Sequence, residues 1–335
     1  MDLKNIKPYP NKVSKNHPME HLSGYQQRDY EVVDYQMYSL GNTGLEFRGP
    51  KIENLESNQY FACLGAAQTF GCFCEKPFPT ILQDQLGLPA LNLGYGGAGP
   101  YFYLKHPSLI DYINKSKFAI IQVMSGRSES NSLFDSGGLE LLTRRSDGTK
   151  FGADAAYRTV LESNYVWQKV PIGQRYVRRI AKVFGKRATK RLVAETRFNW
   201  IENYRSLLNQ ITVPKIIFWY SKRVPDYQEK YDHLSNLFNE FPQLVNSSMI
   251  EEIKSYSDEY VECVSSNGSP QPLVSRFTGK PTAIDPSRDR SDLGGKLWTH
   301  NVYYPSPEMH EDAAQALIPI CQKYLHSTNV MTHSK

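Results

Sequence analysis

Five short apolar runs punctuate the chain, and each gives way to small or polar residues. Tyr60-Phe61-Ala62-Cys63-Leu64 ends at Gly65, and Pro89-Ala90-Leu91-Asn92-Leu93 ends in Gly94-Tyr95-Gly96-Gly97-Ala98-Gly99-Pro100. Phe118-Ala119-Ile120-Ile121-Gln122-Val123-Met124 closes at Ser125-Gly126, and Pro214 to Tyr220 and Glu259 to Val264 complete the set. Helix-compatible stretches separate the runs: Ala66 to Leu86, about 103–115, 175–212, 227–239, 246–256 and Glu308 to Leu325. Continuously apolar strands alternating with helices predict an α/β fold, a mostly parallel sheet flanked by helices on both faces. Residues 127–174 and 265–303 read as irregular. Residues 1–58, polar and broken by Pro and Gly, read as an N-terminal arm or cap. One domain is expected over 59–326, with a basic helical insertion near 140–212 and a tail at 327–335.

Composition narrows this picture only modestly. The 335 residues are 40% hydrophobic and 22% charged, enough apolar material for a sizeable core. The net charge of +5 is too weak to argue for nucleic acid. The first 22 residues lack an apolar signal core, and no run is long and apolar enough to span a bilayer. The five cysteines therefore predict free thiols in a reducing, cytoplasmic setting. Cys72-Phe73-Cys74 has no second pair at zinc spacing, so no metal site is expected. The 22 tyrosines fit either a wet binding surface or residues bridging core and solvent.

In parallel α/β sheets ligands bind at the carboxyl ends of the strands, so the chemistry is sought in the loops after each run. Gly65-Ala66-Ala67-Gln68-Thr69-Phe70-Gly71 offers backbone N–H groups at a helix start, with Gln68 and Thr69 as polar side chains. It serves equally as a tight turn that needs glycine. The loop from Asn92 to Pro100, with Gly94 and Gly97, would let a ligand approach the backbone, but no Gly-Lys-Ser/Thr makes it a P-loop. Arg127, with Ser128 and Asn131, is a fork for an anion, or else pairs with an acid such as Asp135. His310 enters the last helix from Tyr303-Tyr304-Pro305-Ser306-Pro307, has Glu308 as its nearest carboxylate, and is the best general-base candidate among eight histidines.

Together these loops resemble the blocks of the SGNH (GDSL-type) hydrolases, in order over about residues 60–325. The family's Gly-Asp-Ser turn is matched by Gly65-Ala66-Ala67, and its Asn-x-Gly-x-x-Gly turn by Asn92-x-Gly94-x-x-Gly97. Its Gly-x-Asn-Asp block corresponds to Gly126-Arg127-Ser128-Glu129, and its Asp-x-x-His block to Pro307 through His310. The resemblance implies a flavodoxin-like three-layer sandwich and a degenerate site, because alanine replaces the nucleophilic serine and closes the acyl-enzyme route. The segments GAAQTFG, NLGYGGAG, MSGRS and YYPSPEMH also resemble an uncharacterised bacterial family, a domain of unknown function.

Three activities stay open. One is an enzyme of polysaccharide or cell-envelope metabolism, a hydrolase or a transferase of acyl or sulfuryl groups, acting on an ester- or sulfate-bearing carbohydrate. In it His310 would be the base, Gln68 and the amides of Gly94 and Gly97 would stabilise an oxyanion, and Arg127 would hold an anionic substituent. Another is a non-catalytic glycan-binding protein that needs no cofactor. The last is a sulfotransferase using 3′-phosphoadenosine 5′-phosphosulfate (PAPS), against which the 65–71 turn holds no Lys or Arg. Residues 175–191 carry eight cations and no acid, with Tyr176, Val177, Ile180, Val183 and Phe184 at helical spacing. They suggest a contact for an acidic polymer or anionic membrane surface, or a solvated helix face; Gly185 is expected to kink the helix.

Overall fold

The computed structural model describes residues 24–162, 174–288 and 296–325, with side chains described from residue 185 onward in the long helix that begins at Gln174. The described residues fall into two compact units, 24–34 with 272–300 and 35–271 with 301–325. In the first, the helix Gly24–Asp29 carries a buried ion pair in which Arg28 grips Asp29 through two nitrogens at 2.5 and 2.8 Å. Arg276 donates to the Tyr30 carbonyl and stacks on the Tyr30 and Phe277 rings within the same unit.

The second unit holds the sheet. Its five strands are β1 (Phe61–Gly65), β2 (Ala90–Gly94), β3 (Ala119–Gln122), β4 (Lys215–Ser221) and β5 (Glu259–Val264). All neighbours pair in parallel, in the order β5-β4-β3-β1-β2. The chain thus winds outward in both directions from β1, and the β1/β3 boundary is the switch point where exit loops diverge. Alternation along the strands divides the core in two. Ala62, Leu64, Ile121 and Trp219 face α3 (Pro100–Leu104), α4 (Pro107–Lys115), α6 (Gln174–Gln210) and α8 (Ser247–Lys254). Phe61, Cys63, Ile120 and Phe218 face α2 (Phe78–Leu86) and α9 (Pro307–Leu325). Helices on both faces of a parallel sheet are what the continuously apolar runs require.

The irregular reading of 127–174 needs correction. Phe134–Asp135, Leu141–Arg144 and Lys150–Gly152 form a small antiparallel sheet, followed by α5 (Ala153–Leu161). The predicted helix at 227–239 shrinks to α7 (Leu234–Phe238), started by His233, whose side chain accepts from Ser235 N. Helix α6 runs through Gly185 without a break, since one glycine costs only about 1 kcal/mol within 37 residues. In the basic segment the side chains of 175–184 lie outside the described residues, while Arg187, Lys190 and Arg191 are exposed. All five cysteines are buried and none forms a disulfide. Among the described residues no helix is long and apolar enough to cross a membrane.

Helix α6 is the element that fixes the exit of β3. Met124 N donates to the Tyr204 hydroxyl at 2.7 Å, which donates to Gln122 O at 3.0 Å, and the Trp200 indole donates to Met124 O at 3.0 Å. Both rings are fully buried, so these backbone groups have no water as substitute. Tyr204→Phe is expected to lower stability by about 1–3 kcal/mol through the orphaned Met124 amide and Gln122 carbonyl. In urea unfolding the midpoint should fall while the slope stays unchanged.

Candidate functional site

The β1 exit loop passes through Ala66 and Ala67 into α1 (Ala67–Phe70), whose N-terminus has no cap of its own. Gln122, from the end of β3, serves instead: its Oε1 accepts from Ala66 N at 3.1 Å and from the Thr69 hydroxyl at 2.7 Å. Gln68 is buried, and its Oε1 has no hydrogen-bond partner. Asn92 joins β2 to this turn, donating from Nδ2 to Thr69 O at 3.0 Å while its Oδ1 accepts from Gly94 N at 2.9 Å. A Cβ on Gly94 would lie 2.2 Å from Phe70 N, so the two exit turns touch backbone to backbone and only glycine fits. The Gly94 amide, assigned to an oxyanion on the family pattern, is thereby engaged by Asn92.

The neighbouring candidates are also engaged inside the protein. Ser128 donates to Gly97 O at 2.8 Å, tying the β2 and β3 loops together. Asn131 accepts from Leu133 N and Phe134 N and donates to Thr196, which starts the small antiparallel sheet. Arg127 is buried and donates to Asp154 at 2.5 Å, Glu140 at 2.9 Å and the Tyr303 hydroxyl at 3.0 Å. These acids are not the Asp135 that its sequence neighbourhood suggested, because the small sheet carries Glu140 back onto the loop. An anion at Arg127 would have to displace two carboxylates.

His310 is fully buried against Phe78 and Tyr220. Its Nδ1 accepts from Phe78 N at 3.2 Å, which puts the ring proton on Nε2, where no partner is present. Burial, assisted by the Arg48 guanidinium, pushes its pKa down to about 3. Glu308 is exposed, with its carboxylate over Gly268, and no hydrogen bond joins it to His310. The strand-end candidates thus come together in two groups, Thr69, Asn92 and Gly94 linked to Gln122, and Gly97, Ser128 and Asn131 along the β3 loop. His310, Glu308 and Arg127 share no hydrogen bond with either.

Besides Gln68 Oε1, the buried atoms Gln122 Nε2, Arg127 Nε and Glu129 Oε1 at the strand ends have no hydrogen-bond partner. Beyond the turn Gly126–Ser128, Glu129 is 1% exposed as a whole residue in the wider burial pattern of the loop. Its Oε2 accepts from Asn203 of α6 at 2.6 Å, and its Oε1 has no partner. Burial raises its pKa to about 8, against the opposing effect of the Asn203 hydrogen bond. Gly99 matters here, since a Cβ at that position would sit 3.3 Å from Oε1. Glu129 lines a cleft of about 270 Å³ with Tyr101, Asp135, Arg145, Asn199 and Asn203 among its walls. The sequence pointed to Glu129 only as the last position of Gly126-Arg127-Ser128-Glu129, and to Asp135 only as a candidate partner of Arg127. Tyr101, Asn199 and Asn203 carried no motif.

The state of His310 has a consequence for acid stability. The folded protein holds this ring neutral well below the ordinary histidine range, whereas the unfolded chain protonates it near 6.5. Its contribution is therefore present above about pH 6.5 and lost as pH falls toward about 3. His310→Gln, which keeps an acceptor for Phe78 N, is expected to flatten that part of the melting temperature against pH curve; an unchanged curve would contradict the buried neutral ring.

No curated protein matches the chain. Among solved structures, a carbohydrate esterase family 2 enzyme with a carbohydrate-binding domain, from Corynascus thermopiles (Myceliophthora fergusii), is similar at a TM-score of 0.37 and 9% identity, over 84% of this chain and 71% of that one. LAE5, an α/β hydrolase enzyme from the metagenome of Lake Arreo, Spain, is similar at 0.37 and 8% identity, over 81% and 98%. Likeness at this level carries no functional argument. The profile of the family described as "Domain of unknown function (DUF6473)" matches residues 24–137 and 175–325, well over half of the sequence, and the chain belongs to that family.

Proposed function

We propose that this protein binds a neutral sugar or a related polyol in the Glu129 cleft, on a hydrolase-like framework whose strand-end turn carries out no acyl transfer. The lining of the cleft is the observation that carries the reading. Tyr101 stands 40% exposed among the amides of Asn199 and Asn203, the carboxyls of Glu129 and Asp135, and the Arg145 guanidinium. An aromatic face takes the C–H surface of a sugar ring, while planar amides and carboxyls pair with its hydroxyls. The Ser130 hydroxyl and Gly137 N–H hold Asp135 below the usual carboxylate range, so it is ionised. Arg145 is the one cation among the described lining residues, which include Asp135 and Glu202, so a neutral ligand suits the charge better than a sulfated one. The volume suits one sugar unit or a chain end.

The reading against catalysis rests on three groups. Ala67 offers no nucleophile, the Gly94 amide is taken by Asn92, and His310 has its basic nitrogen occupied by Phe78 N. Sulfuryl transfer from PAPS would require Arg127 to leave Glu140 and Asp154. A reducing, cytoplasmic setting accords with five buried cysteines and no disulfide, and a place in polysaccharide metabolism accords with the ligand class.

Saturation-transfer NMR against glucose, galactose, mannose, N-acetylglucosamine and their short oligomers is expected to detect binding. Tyr101→Ala should weaken it about tenfold, the loss of roughly 1–1.5 kcal/mol of stacking. Hydrolysis of p-nitrophenyl acetate should not exceed buffer. Ester hydrolysis abolished by His310→Gln would overturn the proposal, as would the absence of binding by every sugar.

A further inference from the structure

We infer that Asn199 and Asn203 determine specificity in this cleft by presenting two hydrogen-bond acceptors, so that the ligand is a sugar with free hydroxyl groups facing them and its O-alkylated or O-acylated forms are rejected. The inference rests on the preceding reading of the cleft as a sugar site. It follows from which end of each amide the protein already uses. Asn199 Nδ2 donates to Ser130 O at 3.0 Å, and Asn203 Nδ2 donates to Glu129 Oε2 at 2.6 Å. A backbone carbonyl can only accept, so the Asn199 amide has one orientation, and the Glu129 oxygen turns Asn203 the same way. The unused end of each amide is therefore Oδ1. Both residues line the cleft, and neither oxygen is sealed from water or bonded within the protein.

The rest of the lining has the same polarity. Asp135 Oδ1 accepts from the Ser130 hydroxyl at 2.9 Å and Glu202 Oε1 from Arg205 at 2.8 Å, and each carboxylate keeps its second oxygen. Arg145 is the opposing donor, with its Nε given to Asn131 O at 2.9 Å. A surplus of acceptors is satisfied only by donors on the ligand. A hydroxyl donates, whereas an ether or ester oxygen does not, and an Oδ1 that loses water without gaining a donor weakens binding. The two acceptors are also fixed in place. Asn199 and Asn203 stand one turn apart on one face of α6. Their chain neighbours Trp200 and Tyr204 bond the backbone of Gln122 and Met124, so this face is set before a ligand arrives. Tyr101 of α3 supplies the ring surface beside them.

The test is calorimetric titration of the full chain with whichever of glucose, galactose, mannose and N-acetylglucosamine binds most tightly, and with its single deoxy-fluoro and single O-methyl analogues. At the ring positions that face the two amides, both replacements are expected to weaken binding at least about tenfold, because fluorine is small and cannot donate. Asn199→Ala should bind the parent sugar more weakly and lose the discrimination between hydroxyl and fluorine at one of those positions, a coupling that a merely structural asparagine would not show. Fluoro analogues that all bind within about threefold of the parent overturn the inference and leave the sugar site standing. A penalty confined to the bulkier O-methyl analogues does the same, as does an Asn199→Ala protein that discriminates like wild type. Failure of every parent sugar to bind overturns the reading of the cleft, and this inference with it. The wild-type analogue series decides the matter even where the variant does not fold.

Discussion

Where a parallel sheet ends, its loops leave backbone groups that the ladder no longer pairs, and in a covered sheet water cannot pair them. This protein meets that constraint with side chains. The Tyr103 hydroxyl accepts from Gly65 N at 2.9 Å and lies 2.8 Å from the carbonyls of Gly65 and Leu93; Tyr204 does the same service at Met124 and Gln122, and Gln122 caps α1. The arrangement ties together the exits of β1, β2 and β3 around the switch point. Asn92 likewise engages the Gly94 amide, while the buried Oε1 of Glu129 is left without a partner.

The sheet was legible because its strands are buried on both faces. Each apolar run became a strand within a residue or two of its expected ends, and the helices at 246–256 and 308–325 were nearly as well placed. The small sheet of 134–152 was not legible, since its strands are two to four residues long and half exposed, with no apolar alternation to set them apart. Tyrosine abundance gave two readings, and the hydroxyls of the buried Tyr103, Tyr157 and Tyr204 bond neighbouring backbone or side-chain groups.

For the site, sequence located the loops and not their partners: Asn92, Gly94 and Ser128 lie in the strand-end loops, and whether an amide there is free or engaged depends on contacts such as Asn92 Oδ1 to Gly94 N. The acids that neutralise Arg127 and the Asn203 amide that orients Glu129, 74 residues along the chain, are products of the tertiary arrangement. The burial of Glu129, with Asn203 of α6 against it, comes from the same source, and no local pattern announces it.

The protonation of Glu129 is therefore what the account depends on most. Carbon-detected NMR titration of the side-chain carboxyls in the ligand-free protein, with Glu129→Gln to assign the signal, measures it directly. The account predicts a titration midpoint of about 8. A midpoint in the ordinary glutamate range, about 4–5, would mean that the carboxyl is ionised at neutral pH and would contradict a side chain withdrawn from water at the wall of the cleft.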